Sequence, residues 1–106
     1  MYRLIFLDNS MLELKDLKSM DVETSFWNGQ GRPKYLKLIF RQKKNPDLNL
    51  EQLKEDFYSK QLIKLFIYSE DGQKLEYEIP IPTRIDVVNY AEEKLEVGYG
   101  DPLYYK

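Results

Sequence analysis

The stretch Leu62-Ile-Lys-Leu-Phe-Ile-Tyr-Ser-Glu-Asp-Gly-Gln-Lys-Leu-Glu-Tyr-Glu-Ile-Pro80 decides the fold. Ile63, Leu65 and Ile67 alternate with Lys64, Phe66 and Tyr68. After Asp71-Gly72, Leu75, Tyr77 and Ile79 alternate with Glu76 and Glu78. Successive strand residues face opposite sides, and Gly takes the positive φ of a tight turn at little cost. Alternation on both sides of an Asp-Gly pair therefore predicts an antiparallel hairpin. Pro80 and Pro82 cannot donate ladder hydrogen bonds, so they stop the second strand or confine its end to a sheet edge.

Upstream of this hairpin lies a predicted helix over about 49–59. Asn49 supplies the N-cap, with Gln52 three residues on in a capping-box position, and Leu50, Leu53 and Phe57 share one face. Such a short helix is marginal alone and must lean its apolar stripe on a sheet. Further upstream, Tyr2, Leu4 and Phe6 alternate with Arg3, Ile5 and Leu7, and Asp8-Asn9-Ser10 carries turn chemistry. Met11 to Leu14 returns as a strand with Leu12 and Leu14 inward. Met20, Val22, Thr24 and Phe26 define a half-buried strand, and Trp27 to Lys34 is a Gly-containing connection. Tyr35 to Arg41 reads as a strand with Leu36, Leu38 and Phe40 inward and Lys37, Ile39 and Arg41 outward.

Downstream, Thr83 to Leu95 admits two readings. Ile85, Val88, Ala91 and Leu95 roughly fit helical spacing, whereas the β-branched group Ile85, Val87 and Val88 favours extended chain. The β reading is preferred: a strand near 84–90, a turn around Ala91-Glu92-Glu93 and a strand near 94–99. The expected fold is α+β, a mainly antiparallel sheet of about seven to eight strands with one short helix packed on it, forming a single domain over 1–106 with an irregular Tyr-rich tail at about 99–106. The rhythm of Leu4 to Arg41 returns in Leu65 to Tyr99. A duplicated four-strand unit flanking the helix would produce this, and so would two unrelated sets of hairpins.

Composition narrows the chemistry. A chain of 106 residues buries roughly two thirds of its unfolded surface, enough for one core. It contains neither Cys nor His, so thiolate nucleophiles, imidazole bases and the commonest transition-metal ligands are excluded. No apolar run approaches the roughly 20 residues of a membrane span, and the first strand is too short for a signal-peptide core, which predicts a cytoplasmic location. Glu76 and Glu78 share a strand face and are candidates to converge on a cation, although alternating acids usually make a solvated face. Asp8-Asn9-Ser10 lacks the spaced ligands of a calcium loop, and Gly29 to Lys34 lacks the third Gly and the Lys-Ser/Thr pair of a phosphate loop. No cofactor and no catalytic or metal site is expected.

Charge is uneven along the chain. Arg32, Lys34, Lys37, Arg41, Lys43 and Lys44 lie between residues 28 and 46 with no acid among them. The rest of the chain has ten basic against eighteen acidic residues. This basic segment can balance acids within the chain, steer association with itself or a protein partner, or bind nucleic acid through phosphate contacts with aromatic stacking. The overall pI of about 5.2 disfavours the last. The end of the chain, Tyr99-Gly-Asp-Pro-Leu-Tyr-Tyr-Lys106, is apolar and Tyr-rich, so it packs on its own domain or on a partner. The candidate partner-binding residues are therefore Trp27, Arg32, Lys34, Arg41, Lys43, Lys44, Tyr99, Leu103, Tyr104 and Tyr105.

The run Leu50-Glu-Gln-Leu-Lys-Glu-Asp-Phe57 followed by Leu62-Ile-Lys-Leu-Phe-Ile-Tyr-Ser-Glu-Asp-Gly72 resembles small proteins of unassigned role encoded among tail genes of phages and prophages of Gram-positive bacteria. The likeness covers residues 1–99 in rhythm and about twenty residues in identity. The group has no catalytic motif, so no functional residue carries over. The resemblance implies a non-enzymatic, virion- or tail-associated protein working by surface contact with itself or a protein partner. The alternative is a nucleic-acid-binding module using residues 32–44.

Overall fold

The computed structural model describes residues 1–26, 33–81 and 85–100, with residues 26, 33 and 85–87 described by backbone alone. Eight strands and one α-helix are present among them: β1 (Tyr2–Phe6), β2 (Met11–Leu14), β3 (Met20–Phe26), β4 (Pro33–Arg41), α1 (Leu50–Ser59), β5 (Leu62–Tyr68), β6 (Leu75–Pro80), β7 (Ile85–Ala91) and β8 (Lys94–Gly100). The strands form two four-stranded sheets, ordered β2-β1-β5-β6 and β3-β4-β8-β7, with every described pairing antiparallel. The fold is α+β, and the ambiguous stretch after Thr83 is a hairpin, as its β-branched residues favour.

Local chemistry sets each element. At the β1–β2 turn Asn9 takes φ 70°. The Asp8 carboxylate accepts from the Ser10 N–H at 2.9 Å and the Ser10 hydroxyl at 2.5 Å. The β5–β6 turn repeats the device: Asp71 accepts from the Ser69 hydroxyl at 2.5 Å and the Gln73 N–H at 3.0 Å, and Gly72 takes φ 73°. Asn49 caps α1 by accepting from the Gln52 N–H at 3.1 Å. The other half of the capping box is absent, because the Gln52 amide donates along the helix to Asp56 at 3.2 Å.

The buried faces of the two sheets meet in one core cluster containing Leu4, Phe6, Leu36, Leu38, Phe40, Leu65, Leu95 and Val97. Helix α1 adds Leu50, Leu53 and Phe57. The Phe57 ring lies 5.7 Å from Phe6 in one sheet and 5.8 Å from Phe40 in the other, so the helix fastens the two sheets together. One inward assignment shifts, and one outward residue is buried. The pairing of β1 with β5 slips between Ile5 and Phe6, which brings Leu62 rather than Ile63 into the core. Ile39 does turn to the outer face, yet it is only 7 % exposed. Its direct cross-strand neighbours are Asp21 and Glu96, which pair with Arg41 and Lys37 on either side of it, and the stems of those long side chains cover it.

Exchanging β1 with β5, β2 with β6, β3 with β7 and β4 with β8 leaves both strand orders unchanged, and the two central pairs, β1–β5 and β4–β8, are antiparallel. That is the arrangement of two four-strand units related by a two-fold axis, with α1 as the connector. It agrees with the repeated rhythm in the sequence.

A buried polar clasp holds the connector. The Asn45 amide donates to the Ser19 carbonyl at 2.8 Å and the Arg41 carbonyl at 2.9 Å. The Gln42 amide donates to the Asn45 and Leu48 carbonyls, both at 2.7 Å. The chain leaving β4 is thereby tied to the short 3-10 turn at Leu17–Ser19 that leads into β3.

Candidate interaction surface

Two residues of the basic segment lie on the outer face of the second sheet and are engaged there. Strand β4 points Lys37 and Arg41 outward. Lys37 pairs with Glu96 on β8 at 3.7 Å, and Arg41 pairs with Asp21 on β3. Lys94 reaches Glu96 at 3.2 Å. Lys34 is half-buried at the start of β4 and takes part in side-chain interactions of its own. Among the described basic residues of the segment, only Lys43 and Lys44, on the 3-10 turn Gln42–Lys44, are exposed. They line a shallow cleft of about 260 Å³ together with Arg41, Lys94, Glu92 and Glu93. Lys37 and Arg41 are thus neutralised within the sheet, unlike the exposed Lys43 and Lys44. Trp27 and Arg32 lie outside the described residues, as do Leu103, Tyr104 and Tyr105.

Tyr99 is corrected from a contact residue to a core residue. It continues the inward alternation of Leu95 and Val97 on β8 and is 3 % exposed. Burial raises the pKa of its phenol, and its hydroxyl has no hydrogen-bond partner among the described residues. The irregular tail therefore begins no earlier than residue 101, since Tyr99 and Gly100 belong to β8.

The carboxylates singled out by the sequence do not gather. Glu78 pairs with Lys64 on the neighbouring strand at 2.9 Å, while Glu76 stands exposed. Among the described residues no group of three or more acids stands close enough to hold a metal ion. Lys60 approaches the Ser10 hydroxyl at 3.4 Å and the Asp8 carboxylate at 3.9 Å. A lysine engaged by a carboxylate fastens the end of α1 to the β1–β2 turn rather than activating the serine. Both turn aspartates sit below the usual carboxylate range. For Asp8 the main cause is the Ser10 hydroxyl, then the Ser10 N–H. For Asp71 it is the Ser69 hydroxyl, then the Gln73 N–H. These shifts belong to turns. The raised pKa of Tyr2 comes first from burial and then from Asp21 and Asp16; its hydroxyl lies 2.9 Å from the Leu17 carbonyl and 3.2 Å from that of Met20.

The surface feature that stands apart is β6, whose end the prolines stop or confine to a sheet edge. It is an edge strand, and every residue from Leu75 to Glu78 is exposed. Leu75 is 43 % and Tyr77 61 % exposed, although Tyr77 sits opposite Ile67. The signal was available in Pro80 and Pro82, which mark an edge, but not the exposure itself, which depends on what the other sheet fails to cover.

No family model matches the chain, and neither does any curated protein or solved structure. No helix among the described residues is long and apolar enough to cross a membrane.

Proposed function

We propose that this chain is a non-enzymatic interaction protein that works by contact with a protein partner, in the setting of phage or prophage tail assembly. The observation that carries this reading is the edge strand β6, which presents two large apolar side chains, Leu75 and Tyr77, beside unpaired strand backbone. Exposed apolar residues on a sheet edge are an association hazard unless a partner uses them. The tail setting comes from the resemblance of the 50–72 stretch to small phage tail-module proteins. The nucleic-acid alternative has weaker support, because Lys37 and Arg41 are engaged by acids of the same sheet.

The test is co-expression of the tagged full chain with the products of the genes on either side of its own, followed by purification at two salt concentrations. A neighbouring product retained in fixed stoichiometry supports the proposal. If the chain instead purifies alone and retards nucleic acid in a gel at low salt, with retardation lost on raising salt, the nucleic-acid reading replaces it.

A further inference from the structure

The charges of this chain sort by strand position. The four edge strands β2, β3, β6 and β7 contain Glu13, Asp21, Glu23, Glu76, Glu78 and Asp86 and no basic residue. The four central strands contain Arg3, Lys34, Lys37, Arg41, Lys64 and Lys94 and a single acid, Glu96. On the outer faces, edge acids pair with central bases: Arg3 with Glu13 at 3.1 Å, Lys64 with Glu78 at 2.9 Å, and Arg41 with Asp21. Cross-strand pairs of opposite charge support a sheet, and like charges directly opposite each other weaken one. Every edge of this molecule is therefore poorly suited to another copy of itself and suited to a basic strand.

Among the edges, β6 is the barest. Strand β2 has four residues, and the described residues of β3 other than Glu23 are at least partly covered. Strand β7 lies against α1. The bonding phase of β6 follows from the Ile81 N–H, which donates to the Ile63 carbonyl at 3.1 Å. With Lys64 opposite Pro80 and Phe66 opposite Glu78, the polar groups of Ile79 and Tyr77 turn toward β5, and those of Glu78 turn to the open side. Pro80 also faces its missing N–H outward, where it costs the ladder nothing. The pairing slips between Ile67 and Tyr68, so Glu76 is the extra residue of a bulge. An added strand is thus offered a short run centred on Glu78, with Tyr77 for an apolar neighbour and acids to either side.

We propose that β6 is a docking strand that receives, by strand addition, an extended segment of a partner protein in which Lys or Arg alternates with apolar residues. This rests on the contact reading above and names the occupant of one edge. Main-chain bonds supply the seating, Tyr77 and Leu75 supply apolar contact, and Glu76 selects basic side chains, with Glu78 already engaged by Lys64. Self-pairing of β6 sets glutamate against glutamate, which excludes a second copy as the favoured occupant.

The test uses the full isotope-labelled chain and a synthetic peptide of alternating Lys and Val. Two control peptides accompany it: one of the same composition in Lys-Lys-Val-Val blocks, the other with N-methylated backbone. The alternating peptide is expected to shift the amide resonances of Glu76 to Ile79 and to bind more weakly as salt rises. Glu76→Lys, at an exposed position without an ion pair among the described residues, is expected to weaken binding about fivefold. Both control peptides are expected to bind less tightly than the alternating one. Absence of binding, equal binding of the N-methylated peptide, or shifts centred on Asp21 and Glu23 would overturn the assignment. If a co-expressed partner is retained while the peptide leaves β6 unmoved, the contact role stands and the edge assignment falls; if neither occurs, both fall.

Discussion

Asn45→Ala is the substitution from which the clasp between the chain leaving β4 and the turn before β3 can be measured. The Asn45 side chain donates at 2.8 Å to the Ser19 carbonyl and at 2.9 Å to the Arg41 carbonyl, in a residue only 7 % exposed. Its main chain makes separate bonds: the N–H donates to the Gln42 carbonyl, and its carbonyl accepts from the Leu48 N–H and the Gln42 amide. These survive truncation, so the variant isolates the side chain. Each lost bond costs about 1 kcal/mol net, and a buried carbonyl left without its donor raises that toward 1–3 kcal/mol. The expected loss is about 2–3 kcal/mol, a large share of the roughly 5–15 kcal/mol available to a domain of this size. Urea unfolding should show a lower midpoint at unchanged slope, and the melting temperature should fall by roughly 10 °C. Asn45→Asp supplies the control of sign. A carboxylate facing two carbonyls has its pKa raised on folding, so that variant should be worst near neutral pH and recover as pH falls through the raised value, where a protonated acid can again donate one bond. If Asn45→Ala lies within about 0.5 kcal/mol of the parent, the clasp does not hold the connector, and the position of Lys43 and Lys44 must be set by other contacts.

Glu92 and Glu93 occupy the β7–β8 turn with φ of 53° and 59°, a conformation that side chains with a Cβ resist; replacing them with Asn-Gly should stabilise the chain by about 1 kcal/mol in urea titration, and a loss instead would mean that the glutamates hold the neighbouring basic turn. Tyr99→Phe removes a buried hydroxyl with no partner among the described residues, so the variant should be as stable as the parent or about 1 kcal/mol more stable, whereas a clear destabilisation would reveal a partner for that oxygen. Asp8 and Asp71 both have lowered pKa values from hydrogen bonds within their turns, so the stability they add is present above the unfolded carboxylate pKa and drains away as pH falls through the lower folded values; Asp8→Asn with Asp71→Asn should flatten the acid limb of the stability curve, and an unchanged limb would show that the turns do not contribute.

Strands and turns were legible because their causes are local. Period two in Tyr2-Leu4-Phe6 and Leu36-Leu38-Phe40, the Asn49 cap and the Asp71-Gly72 turn each act within a few residues, and each appears where its chemistry requires. What the sequence did not disclose depends on pairing between distant segments. Leu62 replaces Ile63 in the core because β5 slips against β1, sixty residues earlier in the chain, by an irregularity no local pattern encodes. Ile39 reads as outward by alternation and is outward, but its burial depends on which charges arrive beside it from β3 and β8. Tyr99 reads both as the end of a strand near 94–99 and as the start of a Tyr-rich tail, and the pairing of β8 with β4 through Gly100 decides for the strand. The edge was marked by Pro80 and Pro82, but the exposure of Tyr77 was not, because it is a property of what the second sheet leaves uncovered.

Charge illustrates the same limit from the other side. Along the chain, residues 28–46 are wholly basic and the remainder strongly acidic, which suggests a molecule polarised end to end and ready to stack on its neighbours. The topology removes that polarity. Because β4 is a central strand, Lys37 and Arg41 are brought within reach of Glu96 on β8 and Asp21 on β3, and Arg3 and Lys64 likewise reach Glu13 on β2 and Glu78 on β6. A sequence-level dipole thus becomes two sheets with cationic middles and anionic borders. Such borders repel one another, which keeps bare strand edges apart without covering them, and the same repulsion turns into attraction for a strand of opposite charge. The property that protects β6 from other copies of this chain is therefore also the one that would let it choose a partner.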